Sequence, residues 1–226
     1  MRNCLSNFYL YLMIFDLSKT DSIANTFIAE LRDQQIQQDP MRFRRNLERL
    51  GEFFAWEISK TLTYVSVDTV SPLGIAKTKQ LEQQPVLAAI LRAGLPMQQG
   101  LLNIFDRAQA AFVTAYRKPH TTGPIEIQTD YISTPDLNDK VVIVTDPMLA
   151  TGASMVICCK ELLAEFKIKE LHIVIAIASE EGLKHLRAHL PTAKVWLGAI
   201  DKEMTSKSYI VPGLGDAGDL AYGSKL

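Results

Sequence analysis

Four consecutive β-branched residues, Val141-Val142-Ile143-Val144, run without a break into Thr145-Asp146-Pro147-Met148-Leu149-Ala150-Thr151-Gly152-Ala153-Ser154, and a helical apolar pattern starts directly afterwards. A strand with no polar alternation has to be covered on both faces. That restricts the chain to a parallel sheet held between helical layers. The link is equally constraining. A strand that stops at an acid, turns through small and hydroxyl residues and opens a helix is a recurrent anion cradle. Its backbone N–H groups converge, and the helix N-terminus adds roughly half a positive charge. Thr151 and Ser154 can add hydroxyl donors. A carboxylate repels phosphate, so Asp146 is better suited to accepting hydrogen bonds from sugar hydroxyls beside it. A sugar phosphate is the expected ligand.

The rest of the chain repeats the same alternation. Ile23, Phe27, Ile28 and Leu31 predict a helix over 21–37, with Asp21 or Ser22 as its cap. Asp39-Pro40 opens a second helix striped by Leu47, Leu50, Phe54 and Ile58, with Gly51 inside at a small cost. Residues 62–70 read as a strand, Ser71-Pro72 as a turn, and a polar stretch follows. Val86–Leu91 is a buried strand, 95–105 a helix and Ala111–Tyr116 a strand. Residues 117–140, with Pro119, Gly123, Pro124 and Pro135, read as a mobile loop or exposed hairpin around Ile125-Glu126-Ile127-Gln128. Then come strand 141–145, helix 153–166, strand 171–178, helix 180–189 and strand 194–200. The expected fold is α/β, a central mostly parallel sheet flanked by helices. The glycine-rich tail Tyr209-Ile210-Val211-Pro212-Gly213-Leu214-Gly215-Asp216-Ala217-Gly218-Asp219 breaks the rhythm with no regular element of its own. Disordered tails are polar and this one is not. It is read as an ordered hood, about 200–226, over the carboxyl ends of the strands, where open parallel sheets bind ligands.

Size and composition set the remaining bounds. A chain of 226 residues suits one core, here a single domain over 13–226. A net charge of −1 speaks against a general nucleic-acid binder. Cys4, Cys158 and Cys159 form neither a disulfide framework nor a zinc spacing, which fits a reducing, cytoplasmic setting. Residues 1–12 are apolar with a minimal basic n-region, Arg2 alone, and no small-residue cleavage site, and they are too short to span a membrane. They read as an N-terminal extension or a misplaced start ahead of Met13.

Four segments, Ile90-Leu91-Arg92-Ala93-Gly94-Leu95, Ala115-Tyr116-Arg117, the 146–154 loop and the 209–219 tail, together resemble the uracil phosphoribosyltransferases. These belong to the type I phosphoribosyltransferases, and the likeness runs from about Arg42 to Leu226. The resemblance implies transfer of a phosphoribosyl group from its diphosphate donor to uracil, giving UMP, through an oxocarbenium-like transition state. Positioning and charge placement carry such a step, so no nucleophile–base pair is needed. It also implies the roles. Asp146, Pro147, Met148, Leu149, Ala150, Thr151, Gly152, Ala153 and Ser154 would hold the ribose and its phosphate. Arg92 and Arg117 would meet the diphosphate. Ile210, Gly215, Asp216 and Ala217 would read uracil, with Asp216 also at the phosphoribosyl diphosphate. Asp146, Asp216 and Arg117 would be the catalytic set. Mg2+ is expected through substrate phosphates and water, with no protein metal ligand.

This chain has Ala153 where the family usually has a second glycine. Alanine disfavours positive φ, but a helix starts there and helical φ suits it. Other readings stay open. A phosphoribosyltransferase-fold regulator that binds RNA is the main alternative, and it needs a basic surface. Met41-Arg42-Phe43-Arg44-Arg45 reads as a solvated helix face or a subunit contact before a GTP site. Trp56 and Trp196 read as packing residues. A homodimer or higher homo-oligomer is expected, with the N-terminal helices as interface; no nucleic-acid or membrane partner is expected.

Overall fold

The computed structural model describes residues 14–118 and 126–224, except the side chains of 115–118 and 126–130. The reading of residues 1–12 lies outside that range. Strands β1 (Ile14–Asp16), β4 (Val86–Leu91), β5 (Gln109–Lys118), β6 (Glu126–Ser133), β7 (Val141–Thr145), β9 (Glu170–Ser179) and β10 (Lys194–Asp201) form the central sheet. Their order is β1-β10-β9-β7-β4-β5-β6, and the short β8 (Met148–Leu149) also pairs with β9. Every pairing is parallel except β5 with β6. The saturated apolar run of β7 lies between β4 and β9, as a strand buried on both faces must.

Two cores follow from the two faces. One holds α1 (Ile23–Arg32), α2 (Pro40–Ser59) and α3 (Leu95–Ile104), whose Leu31, Leu47, Leu50, Phe54 and Met97 are buried. The other holds α4 (Ala153–Glu165) and α5 (Glu180–His189), with Cys158, Cys159 and Leu186 buried. Burial pushes the Cys158 thiol up to about 12 and the Cys159 thiol higher still, so both are inert packing groups. Asp39 caps α2 by accepting from the N–H groups of Met41 and Arg42, ahead of Pro40 at the first position.

Several expectations change. The helix starting at Ile23 ends at Arg32, because Asp33 turns back to accept from the N–H groups of Gln35 and Ile36. Gly51 is more than a tolerated cost. A Cβ there would overlap the Met97 carbonyl, and one at Gly100 would overlap the Glu48 carbonyl, so the two glycines set the close crossing of α2 and α3. The polar stretch after Pro72, to which the sequence assigned no element, is ordered. It is β3 (Gly74–Leu81), paired antiparallel with β2 (Tyr64–Ser71) in a separate two-stranded ribbon. Trp56 is not a packing residue. It is 62% exposed, because it lies two positions from Phe54 and Ile58 and so faces away from their stripe. Trp196 is buried and donates its Nε1–H to His172 Nδ1 at 3.2 Å. Residues 117–140 contain the hairpin β5–β6, whose connecting residues 119–125 lie outside the described ones. Leu137 is fully buried, and the N–H groups of Asp139 and Lys167 close against the Lys167 carbonyl and the Asn138 side chain.

Candidate active site

At the carboxyl ends of the strands a cavity of about 570 Å³ opens between the 146–155 segment and the C-terminal region. The floor is built by β7, which stops at Thr145. The Thr145 hydroxyl donates to the carbonyls of Ala88 and Gly94 at 3.2 and 3.1 Å, joining the end of β7 to the loop after β4. Gly94 is small because its missing Cβ would meet the carbonyls of Thr145 and Ile90. Ala93 faces the cavity.

Asp146 also lines it. Burial pushes the carboxyl from 3.8 up to about 7, and the negative charge of Asp216 adds to the rise against a weak bond from the Met148 N–H at 3.4 Å. From Pro147 the chain runs beside β9. The Pro147 carbonyl accepts from Ile177 N–H, so this residue serves the sheet and does not line the cavity. Met148, Leu149 and Ala150 do. Gly152 then takes φ +77°, the left-handed turn that starts α4, and its carbonyl accepts from Val156 N–H. Gly152 offers no side-chain cap, and the Thr151 hydroxyl reaches this helix start only weakly, accepting from the Ala153 N–H at 3.4 Å. Thr151, Gly152, Ala153 and Ser154, which lead into this helix start, line the cavity wall. Ala153 is the first helical residue, and the left-handed φ falls on Gly152 alone in this loop.

The opposite wall is the hood, and it has internal structure that the glycines hid. β11 (Glu203–Met204) and β12 (Ile210–Val211) form a small ribbon, and α6 (Ala217–Tyr222) follows. The two carboxylate oxygens of Asp201 accept from Arg32 at 2.7 and 2.8 Å. Asp201 also receives the Gly213 N–H, and Arg32 donates to the Gly213 carbonyl. That closed set fixes the turn at Gly213, whose φ of +57° needs glycine. Ile210, Gly215, Asp216 and Ala217 all face the cavity. The Asp216 side chain caps α6 through Asp219 N–H at 3.0 Å.

One expected arginine stands apart. Arg92 does not line the cavity. Its Nη2 turns to the Gly223 carbonyl at 3.2 Å and to Asp219 at 3.4 Å, while its Nε–H is buried without a partner among the described residues. Arg117 lies on β5 opposite Ile127, and its side chain lies outside the description. The basic run of α2 is not a free patch. Arg42 pairs with Glu30 at 2.7 Å, Arg45 with Glu48 at 2.6 Å, and Arg44 donates to the Ala221 carbonyl at 2.6 Å. Sequence reading missed Lys207 and Ser208, which line the hood wall with Tyr209. Ser208 holds φ +62°, unusual for a residue with a side chain, but no sequence signal marks that.

The chain is also similar to known proteins. A family model described as uracil phosphoribosyltransferase matches residues 18–224. A protein of that name from Porphyromonas gingivalis is 48% identical over 214 residues, covering 94% of this chain and 99% of its own. Another from Thermococcus gammatolerans is 34% identical and covers 88% of each. Among solved structures, the AQ2163 protein from Aquifex aeolicus is similar at a TM-score of 0.83 and 29% identity, covering 93% of this chain and 98% of that one.

Proposed function

The chain belongs to the uracil phosphoribosyltransferase family, and we propose that its cavity transfers the phosphoribosyl group of 5-phospho-α-D-ribose 1-diphosphate to uracil, giving UMP and diphosphate. One observation carries the reading. A helix start entered through a left-handed Gly152, with only a weak bond to the Thr151 hydroxyl, faces the turn Gly215-Asp216-Ala217 across a single cavity of nucleotide size. The first wall suits a phosphate and the second a small ring.

In this reading the N–H groups and hydroxyls of Thr151–Ser154 hold the 5-phosphate. Asp146 accepts from the ribose hydroxyls. The bond from the anomeric carbon to the diphosphate loosens first, the ribose takes oxocarbenium character, and a uracil ring nitrogen attacks from the other face. Uracil offers two carbonyl acceptors and an N–H donor, which backbone groups of the hood around Ile210 and 215–217 can match. Cytosine puts an amino donor where uracil has an acceptor and is rejected. Arg92 leaves Asp219 and Gly223 to meet the diphosphate, which gives its unpartnered Nε–H an acceptor. Arg117 reaches the same group from β5.

No group of three or more metal-ligating side chains occurs among the described residues. The carboxylates of Asp146 and Asp216 nevertheless face one cavity, and the Asp216 charge helps hold the Asp146 carboxyl above its ordinary value. These residues would suit Mg2+ arriving on substrate phosphates and water, with Asp216 able to hold a bound water; the ion would supply charge neutralisation for the leaving diphosphate. Among the described residues no helix is long and apolar enough to cross a membrane. The free, buried Cys158 and Cys159 support a cytoplasmic setting.

The test is UMP formation from phosphoribosyl diphosphate and Mg2+ with uracil, cytosine, hypoxanthine and orotate in parallel. Product with uracil alone is the expected result. Tight binding of phosphoribosyl diphosphate without product from any base would favour the RNA-binding regulator instead.

The protein is further proposed to be a homodimer or larger homo-oligomer. The N-terminal helices expose Ile23, Met41 and Trp56, and the β2–β3 ribbon exposes Val70, Leu73 and Ile75. Such apolar surface is costly in a monomer, and a lone two-stranded ribbon is marginal in water. Sedimentation should show a species at least twice the chain mass of 25.2 kDa, and Leu73→Asp with Ile75→Lys should shift it toward monomer. A monomeric wild-type protein would refute this.

A further inference from the structure

α6 has six residues, too few to hold a helix by itself, yet Asp216 and Ala217 at its start face the cavity. Something must fix its pitch. At the near end the Asp216 side chain caps it. At the far end Arg44, carried on the twenty-residue α2, donates from Nη1 to the Ala221 carbonyl at 2.6 Å and places its guanidinium 5.8 Å from the centre of the Tyr222 ring. A cation on the last carbonyls of a helix is favourable in charge as well as in hydrogen bonding. Between the two ends, Ala217 and Ala221 are buried in the same core as Phe43 and Leu47, the neighbours of Arg44 on α2.

Arg92 makes a second contact there, with the Gly223 carbonyl. That contact is given up if Arg92 moves to the diphosphate. Arg44 does not line the cavity and has no such competing role. We infer that Arg44 is a positioning residue for uracil: through Ala221 it sets where α6 starts, and so where Asp216 and Ala217 meet the base. This rests on the proposed reading of the hood as the uracil wall.

The test compares Arg44→Met, which keeps the apolar stem and loses every donor, with Arg44→Lys, which keeps a cation and a donor. At saturating phosphoribosyl diphosphate the Met variant should raise the KM for uracil about tenfold, the loss of one charge-assisted hydrogen bond, while the KM for phosphoribosyl diphosphate stays within about twofold. The Lys variant should recover most of it. Hydrogen exchange in the Met variant should quicken over 214–222 and stay unchanged in β9. A purely structural loss would raise both KM values together and quicken exchange throughout, and either result, or an unchanged uracil KM, overturns the role. If the Met variant does not fold, the same split read in the Lys variant decides, with a smaller but still selective rise expected. A wild-type protein that makes no UMP would defeat the reading of the site as well; an active wild type matched by Arg44→Met would defeat the Arg44 role alone.

Discussion

Replacing Asp146 with asparagine should lower kcat/KM for UMP formation by about 100-fold or more, roughly 3 kcal/mol of transition-state stabilisation, and should make the ligand-free protein more stable at alkaline pH. Both effects come from one carboxyl. It sits where β7 ends and lines the cavity, so it can accept from two ribose hydroxyls; asparagine keeps one acceptor and turns a donor toward the other hydroxyl. The same position holds the charge in poor solvent, beside Asp216, and raises the carboxyl to about 7. A folded value above the ordinary 3.8 means the folded state binds the proton more tightly than the unfolded chain. Its contribution is therefore fully present below pH 3.8 and is lost as pH rises through 7. The carboxyl is only half-buried against the open cavity, so the loss is about 1–2 kcal/mol. Thermal unfolding of both proteins from pH 4 to 9 checks this. The curves should coincide near pH 4, diverge progressively as pH rises to about 7, and stay apart by a constant amount above it, with the variant higher. A separation that does not change with pH would rule out the buried charge as its cause. The kcat/KM of the wild type should rise through the same range as the acceptor ionises, and the variant should lose that rise.

What could be read from the sequence divides by burial. β4, β7, β9 and β10 are covered on both faces, so their residues are apolar without alternation and their limits were legible to within a residue or two. The phosphate loop was legible for a different reason, since an acid, small residues and hydroxyls between strand and helix have few other uses. Strand β2 was legible over 62–70, but β3, and so the ribbon, was missed because almost nothing covers it. With both faces exposed, Lys77-Thr78-Lys79-Gln80 carries no apolar period and signals no element. The hood was placed but not resolved. Its order comes from Arg32 and Asp201, which are 169 residues apart and meet only in the fold. Arg92 shows a further limit. Its motif marks the strand end, but the direction of its guanidinium is set by Gly223 and Asp219, far along the chain. Likewise the basic residues of α2 look alike in sequence, and only the packing of α6 on α2 separates Arg44 from its neighbours.

Gly152→Ala should be the second severe change: a stability loss of about 2–3 kcal/mol together with a rise of 100-fold or more in the KM for phosphoribosyl diphosphate. Two costs add. Gly152 holds φ +77°, where a side chain is strained. A Cβ there would also lie 2.8 Å from the Gly182 carbonyl at the start of α5. Neither side can yield cheaply. The Ser179 hydroxyl donates to the Ala150 carbonyl at 2.5 Å and accepts from Gly182 N–H at 2.8 Å, which ties the loop to α5. A Cβ on Gly182 would in turn overlap the Ala150 carbonyl, so the two backbones are already as close as they can be. The loop can then accept a side chain only by rotating the N–H groups that start α4 away from the cavity, and the phosphate loses its donors. Ala153→Gly is the control. Ala153 is already helical, so a glycine there should leave the KM for phosphoribosyl diphosphate within about twofold and cost at most about 1 kcal/mol of stability. Thermal unfolding and steady-state kinetics on the two variants separate the effects. A Gly152→Ala protein that melts early but binds phosphoribosyl diphosphate normally would show that the turn supports α5 and leaves the anion to other residues.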